Sequence, residues 1–127
     1  MQKIFKNLKN KEAPSIISST VNIKGDISSK GEVIFDGAIK GNIVASTITL
    51  GKSSLVQGNI EADKVIVYGK VEGIINAKIV CLKKSAIIIG DIVNQFIEIE
   101  SGASVSGLVK TSQSEEINLK EIKLKSL

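Results

Sequence analysis

The stretch 41–109 decides the fold. Cut at the Gly-x-Ile/Val marker that recurs every 15 to 17 residues, it reads GNIVASTITLGKSSLVQ (41–57), GNIEADKVIVYGKVE (58–72), GIINAKIVCLKKSAIII (73–89), GDIVNQFIEIESGASVS (90–106) and GLV (107–109). The marker glycines Gly41, Gly58, Gly73, Gly90 and Gly107 are 17, 15, 17 and 17 residues apart, and an earlier one, Gly25, adds a step of 16. A repeat of this length is the signature of a solenoid and outranks any local propensity.

Apolar residues keep fixed places within each period. Ala45, Ile48 and Leu50 recur as Ala62, Val65, Val67, then as Ala77, Val80, Leu82, while Asn94, Ile97 and Ile99 hold the same slots in the next period. A second apolar position precedes each marker, at Val56, Val71, Ile88 and Val105. Spacings of two put side chains on one face of a strand. One period cannot fold alone. Burying about six apolar side chains gains roughly 1.5–3 kcal/mol each, whereas ordering about sixteen residues costs roughly 1–2 kcal/mol each in backbone entropy. Stacked periods solve the problem, because each strand pairs with its counterpart above and below and the apolar slots merge into one file. The expected fold is all-β: a parallel β-solenoid of about six coils, 15–17 residues and three short strands in each.

Working outward, 15–24 (SIISSTVNIK) reads as an imperfect first coil with Val21 and Ile23 two apart, and 25–40 as the second, with Val33 and Phe35 in the strand slots. Gly37 and Gly69 stand where a longer corner occurs at 51–55, so two residues are lost at a turn and strand register is kept. The predicted organisation is a basic tail (1–15), the β-helix (16–110) and a C-terminal tail (111–127). In the last of these Ile117, Leu119, Ile122 and Leu124 fit neither a helical nor a strand period.

Charge is concentrated in the N-terminal tail. The net charge is +4, and the first fifteen residues hold Lys3, Lys6, Lys9 and Lys11 against Glu12 alone. Met1, Ile4, Phe5 and Leu8 follow the i, i+3, i+4, i+7 spacing of one helix face. Two readings stand: a short interfacial anchor with Lys toward anionic lipid, or a disordered solubilising tail. No apolar stretch reaches transmembrane length, and no secretory h-region or cleavage site is present. All seventeen basic residues are Lys. Without Arg, the usual residue for bidentate phosphate and guanine contacts, nucleic acid is not an expected partner.

The residues also argue against catalysis. The chain has no His, which hexapeptide-repeat acyltransferases require, and no G-x-x-x-x-G-K-[ST] phosphate loop. Asp36, Asp63 and Asp91 fall at corners or outward slots without a partner. Asp26, Asn42, Asn59 and Asp91 follow marker glycines, but the nonapeptide of calcium-binding β-rolls is missing, so Gly-Asx is read as an ordinary corner. Thr47 and Thr49 are not repeated in later coils, as an ice-binding ladder would need. The lone Cys81 lies between inward-facing Val80 and Leu82 and should point outward as a surface thiol, in keeping with a reducing compartment. No enzyme activity, cofactor or metal is expected. The ends of the solenoid remain: unpaired strand edges join other chains unless blocked, and the last full coil offers Phe96, Ile97 and Ile99 before ending on Leu108 and Val109.

The block 20–27 (TVNIKGDI), the run 35–43 (FDGAIKGNI), the A-x-x-[IV]-x-[ILV] coils and the short basic N-terminus with an early aromatic together resemble the bactofilins. The resemblance covers about 16–110. It implies a right-handed, triangular parallel β-helix that polymerises without nucleotide into filaments. It also implies a cytoplasmic scaffold, peripheral at the inner face of the bacterial membrane, that organises cell shape or cell-wall machinery. The expected partners are then further copies of the chain, an anionic membrane surface and unidentified cell-shape or cell-wall proteins. The family's polymer contact uses apolar residues of the terminal coils, including a Phe near the C-terminal end. The corresponding residues here are Phe96, Ile97, Leu108 and Val109 at one end and Val21 and Ile23 at the other. Membrane targeting would fall to Met1, Lys3, Ile4, Phe5, Lys6 and Leu8. A monomeric module that binds a partner on the flat solenoid walls is the rival reading. Filament polarity stays open, since head-to-tail and alternating head-to-head contacts both give an open fibre.

Overall fold

Sixteen short strands wind into six coils in the computed structural model, which describes residues 13–111. The first coil comprises β1 (Ser15–Ile17), β2 (Asn22–Lys24) and β3 (Ile27–Ser28), and the second β4 (Glu32–Phe35), β5 (Ala38–Lys40) and β6 (Ile43–Val44). In the third, β7 (Thr47–Leu50) and β8 (Leu55–Gln57) lead into β9 (Ile60–Val67), which turns a corner and opens the fourth. There β10 (Lys70–Glu72) leads into β11 (Ile75–Leu82), which likewise carries the chain into the fifth, completed by β12 (Ile87–Ile89) and β13 (Ile92–Asn94). The sixth is β14 (Phe96–Ile99), β15 (Ser104–Ser106) and β16 (Val109–Thr111). The expected β-solenoid is the fold observed, with strands running from Ser15 to Thr111.

All pairing is parallel and in the register of the repeat. On the first face Val33, Ile48, Val65, Val80 and Ile97 are successive partners. On the second, Ile23, Ile39, Val56, Val71, Ile88 and Val105 form the column. On the third it is Ile27, Ile43, Ile60, Ile75, Ile92 and Val109. Because β9 and β11 bend between faces, the first and third faces form one ten-stranded sheet, and the second is a separate six-stranded sheet. Each inward column is fully buried through the middle coils, so the core is a continuous file of Val, Ile and Leu with Phe35 near one end. Ser15 fills the slot that Val33 holds one coil on, which is why the first coil looked imperfect.

The corners explain the uneven period. Four-residue corners at 18–21, 51–54, 83–86 and 100–103 are each closed by a backbone N–H donating to the carbonyl three residues back, as Ser54 does to Gly51 (3.0 Å). Two-residue corners at 36–37 and 68–69 nest against the longer corner of the preceding coil. A Cβ on Gly37 would collide with the Val21 carbonyl, and one on Gly69 with the Gly51 carbonyl and the Ser54 hydroxyl. The two missing residues are therefore lost at a turn, as the sequence indicated.

Marker glycines stack more tightly still. Gly73 has φ +152°, in the region L side chains avoid, and a Cβ there would fall within the van der Waals shell of the Gly58 carbonyl oxygen. The Asp or Asn after four of the six markers has a structural task that the sequence reading understated. Asp26 Oδ1 accepts from the Asn42 N–H (2.9 Å), Asn42 Oδ1 from Asn59 (2.9 Å), Asn59 Oδ1 from Ile74 (3.2 Å) and Asp91 Oδ1 from Leu108 (3.1 Å). Gly-Asx is thus a hydrogen-bond ladder along one edge of the prism. It is interrupted at Ile74, whose side chain has no acceptor to offer Asp91.

Candidate functional site

The surfaces with unfinished business are the two terminal coils. Among the described residues each of their strands is hydrogen-bonded on one side only: β1, β2 and β3 to the second coil, and β14, β15 and β16 to the fifth. The inward columns continue to the ends without being closed there by described residues. Ile17, Ile23 and Ile27 are half-buried at one end and Ile97 and Val105 at the other, while Ile99 and Val109 are 49% and 39% exposed. Their counterparts in the middle coils, Leu82 and Ile92, are fully buried. Open ladder edges beside unclosed apolar columns form a template for one more coil.

The predicted interface residues divide between column and wall. Ile97 and Val109 occupy inward slots of the last coil, and Ile23 an inward slot of the first. Val21 is half-buried at the first long corner, where its N–H closes the turn onto the Ser18 carbonyl (3.1 Å). Phe96 lies in the outward column of the first face, level with Ile79, and is 61% exposed, so it flanks the terminal surface instead of sitting in its middle. Leu108 projects from the corner and is also exposed. Sequence reasoning passed over Ile17, Ile27 and Val105 as end residues, although extending each column to its last member would have found them. The predicted membrane-targeting residues Met1, Lys3, Ile4, Phe5, Lys6 and Leu8, and the segment after Thr111, lie outside the described residues.

The walls carry ordinary surface electrostatics. The Gln57 amide donates to Glu72 Oε1 (3.1 Å) and Lys70 Nζ lies 3.3 Å from its Oε2, which together hold the Glu72 carboxyl below its usual range. Glu100, 3.6 Å away, holds the Lys83 ammonium above its ordinary value. Both pairs are largely solvated and so contribute little. Cys81 points outward between Ile66 and Glu98, as expected. Among the described residues no three His, Cys, Asp or Glu side chains converge as metal ligands, and no helix is long and apolar enough to cross a membrane. A buried amide, Asn94, takes the small-residue slot of Ala62 and Ala77. Its Oδ1 accepts from the Thr111 hydroxyl (3.1 Å).

Among the described residues the terminal coils of this β-solenoid leave their outer ladder edges open, the kind of edge that can pair with a further strand. Residues 15–110 match the bactofilin family, described as polymer-forming and cytoskeletal. This chain belongs to the bactofilin family. It is similar to the structure of the cytoskeletal bactofilin BacA determined by solid-state NMR, at 32% identity and a TM-score of 0.72, over 77% of this chain and 95% of that one. It is also similar to a bactofilin of Thermus thermophilus, seen as double helical filaments by cryo-electron microscopy. That match has 25% identity and a TM-score of 0.67, over 75% of this chain and 98% of the other. No curated protein matched the chain.

Proposed function

We propose that this chain assembles without nucleotide into filaments by end-to-end stacking of its β-helix. In this reading the filament is a scaffold at the inner face of the bacterial membrane for cell-shape or cell-wall machinery. The observation that carries the proposal is the pair of terminal coils, each with, among the described residues, one unpaired ladder edge per face and apolar columns that stop unclosed. The Thermus relative forms double helical filaments, and here too two filaments are taken to associate. Negative-stain microscopy of the purified chain, without nucleotide and in several salts, is the direct test. Filaments are expected; compact particles alone at high concentration would favour the monomeric binding module.

Membrane attachment rests on the sequence of the tail. Four apolar side chains bind lipid weakly, so attachment needs the multiplication that a polymer supplies. Deleting residues 1–11 is expected to leave filaments intact and to release them from anionic liposomes in a sedimentation assay. Equal co-sedimentation of truncated and full-length chains would remove the anchor.

Phe96 is the residue the family resemblance nominates for the joint. Its exposed, outward position means that Phe96→Arg should leave the circular dichroism spectrum unchanged. At the rim of the terminal surface, where contacts are partly solvated, the substitution is expected to shorten filaments. Filaments of normal length from this variant would take Phe96 out of the joint.

A further inference from the structure

We propose that the sixth coil is a strap that opens by itself from the rest of the β-helix, with the buried amide of Asn94 as its point of release, and that a second copy stacked on it holds it shut. The inference rests on the filament reading above and adds to it a change of state in the subunit as it joins.

Asn94 breaks the pattern of its column. Where the third face turns into the first, earlier coils have Ala45, Ala62 and Ala77, the fifth has Asn94 and the sixth Thr111. Asn94 is 1% exposed. Its Oδ1 accepts from the Thr111 hydroxyl (3.1 Å), while its Nδ2 has no partner among the described residues. Turning the amide over changes nothing, because the one hydroxyl serves one end of it either way. A polar group buried without a partner carries a penalty of roughly ten- to a hundredfold in any equilibrium that relieves it.

That penalty exists only while the sixth coil is closed. Thr111 holds the same slot at the open end of the column and is exposed. With the sixth coil lifted away, Asn94 ends the column and both ends of its amide reach water. Little in that coil opposes the release. Ile97 and Val105 are half-buried and Ile99 and Val109 exposed, whereas Val80, Leu82, Ile88 and Ile92 one coil below are fully buried. A terminal repeat is held by one interface instead of two. The first coil has no such point of release: Ser29 occupies the slot there, and its Oγ accepts from the Gly31 N–H (3.1 Å). The other buried side-chain atom without a partner, Ser54 Oγ, lies in the third coil with coils on both sides, so no terminal coil relieves it by opening.

Assembly reverses the balance. In either stacking order a copy seated on the sixth coil covers the free edges of β14, β15 and β16 together with Ile99 and Val109. The strap then opens only when the joint opens with it. Local opening of this kind is read directly by the exchange of the amide protons it exposes.

Hydrogen exchange on the full chain, first diluted until it sediments as a monomer and then as filaments, tests the inference. The N–H groups of Glu100 and Ser104 donate from the sixth coil to the carbonyls of Leu82 and Ala86. Those of Lys83 and Ile87 make the same bonds one coil lower, to Val67 and Gly69 (all 2.9 Å). In the monomer Glu100 and Ser104 should exchange about a hundredfold faster than Lys83 and Ile87; in filaments the difference should vanish. Asn94→Ala, which restores the alanine column, should slow the sixth coil of the monomer about tenfold. Thr111→Val, which leaves the whole amide unpaired, should speed it by a similar factor, and neither change should move Lys83 or Ile87. Equal exchange of the two coils in the monomer would overturn the proposal. So would an Asn94→Ala monomer whose sixth coil exchanges as fast as the wild type, or a sixth coil that stays fast in filaments. If the chain forms no filaments at any concentration, the filament reading fails by itself, and the two substitutions still decide whether Asn94 releases the coil.

Discussion

Gly73→Ala is expected to cost a large part of the stability of the β-helix, far more than the same change at Gly25. Both glycines have positive φ, +152° and +128°, so both substitutions incur backbone strain of roughly 1–3 kcal/mol. Only at Gly73 would the new methyl strike the carbonyl of the marker below; around Gly25, in the first coil, the space is open. Relieving that collision means separating two coils whose strands are held in register on all three faces, and overpacking of this kind adds roughly 1–3 kcal/mol. Against a total of roughly 5–15 kcal/mol for a domain, Gly73→Ala is expected to lower the melting temperature by about 10 °C or more. Gly25→Ala should lower it by a few degrees. Thermal unfolding followed by circular dichroism at one protein concentration is the measurement. Equal shifts for the two variants would mean that the glycine column is not a packing constraint.

Val109→Lys is expected to abolish filaments while leaving the subunit folded. Val109 ends the inward column of the third face and is 39% exposed because nothing described lies above it. In the free subunit the lysine stem can lie along the column and carry its ammonium out to water. In a filament the next coil would close over that position and bury the charge without a partner, at a cost of several kcal/mol at every joint. Sedimentation should show monomers or short oligomers with an unchanged β-sheet spectrum. Val44→Lys is the control, since Val44 is exposed to a similar degree (43%) but lies on the wall of the second coil. It should polymerise normally. Normal filaments from Val109→Lys would mean that the third-face column is not part of the joint.

Much of the terminal surface was legible before the fold was known, because in a solenoid that surface is the cross-section of the repeat. The slots of Ile48, Val56 and Ile60, carried forward to the last coil, arrive at Ile97, Val105 and Val109. Phe96 was less legible. Its neighbour Ile97 identifies it as outward, but only the pairing with Ile79 shows that it stands on the rim with more than half its surface free. The Asx ladder was half legible: the recurrence of Asn and Asp after glycine was plain, but its purpose needed the acceptor geometry between coils.

By itself the sequence determined the architecture, the coil number, the inward columns and the corners that lose two residues. A period repeated in one dimension leaves few alternatives, since a shift of one residue in any strand would turn its apolar face to water. Tertiary structure decided what depends on neighbours across coils rather than along the chain. Marker glycines stack carbonyl against Cα, the short corners nest beside long ones, and Asn94 takes an alanine slot with its Oδ1 accepting from Thr111. These partners are about one coil apart in the chain and about 4.8 Å apart in space, and only the folded coil brings them together.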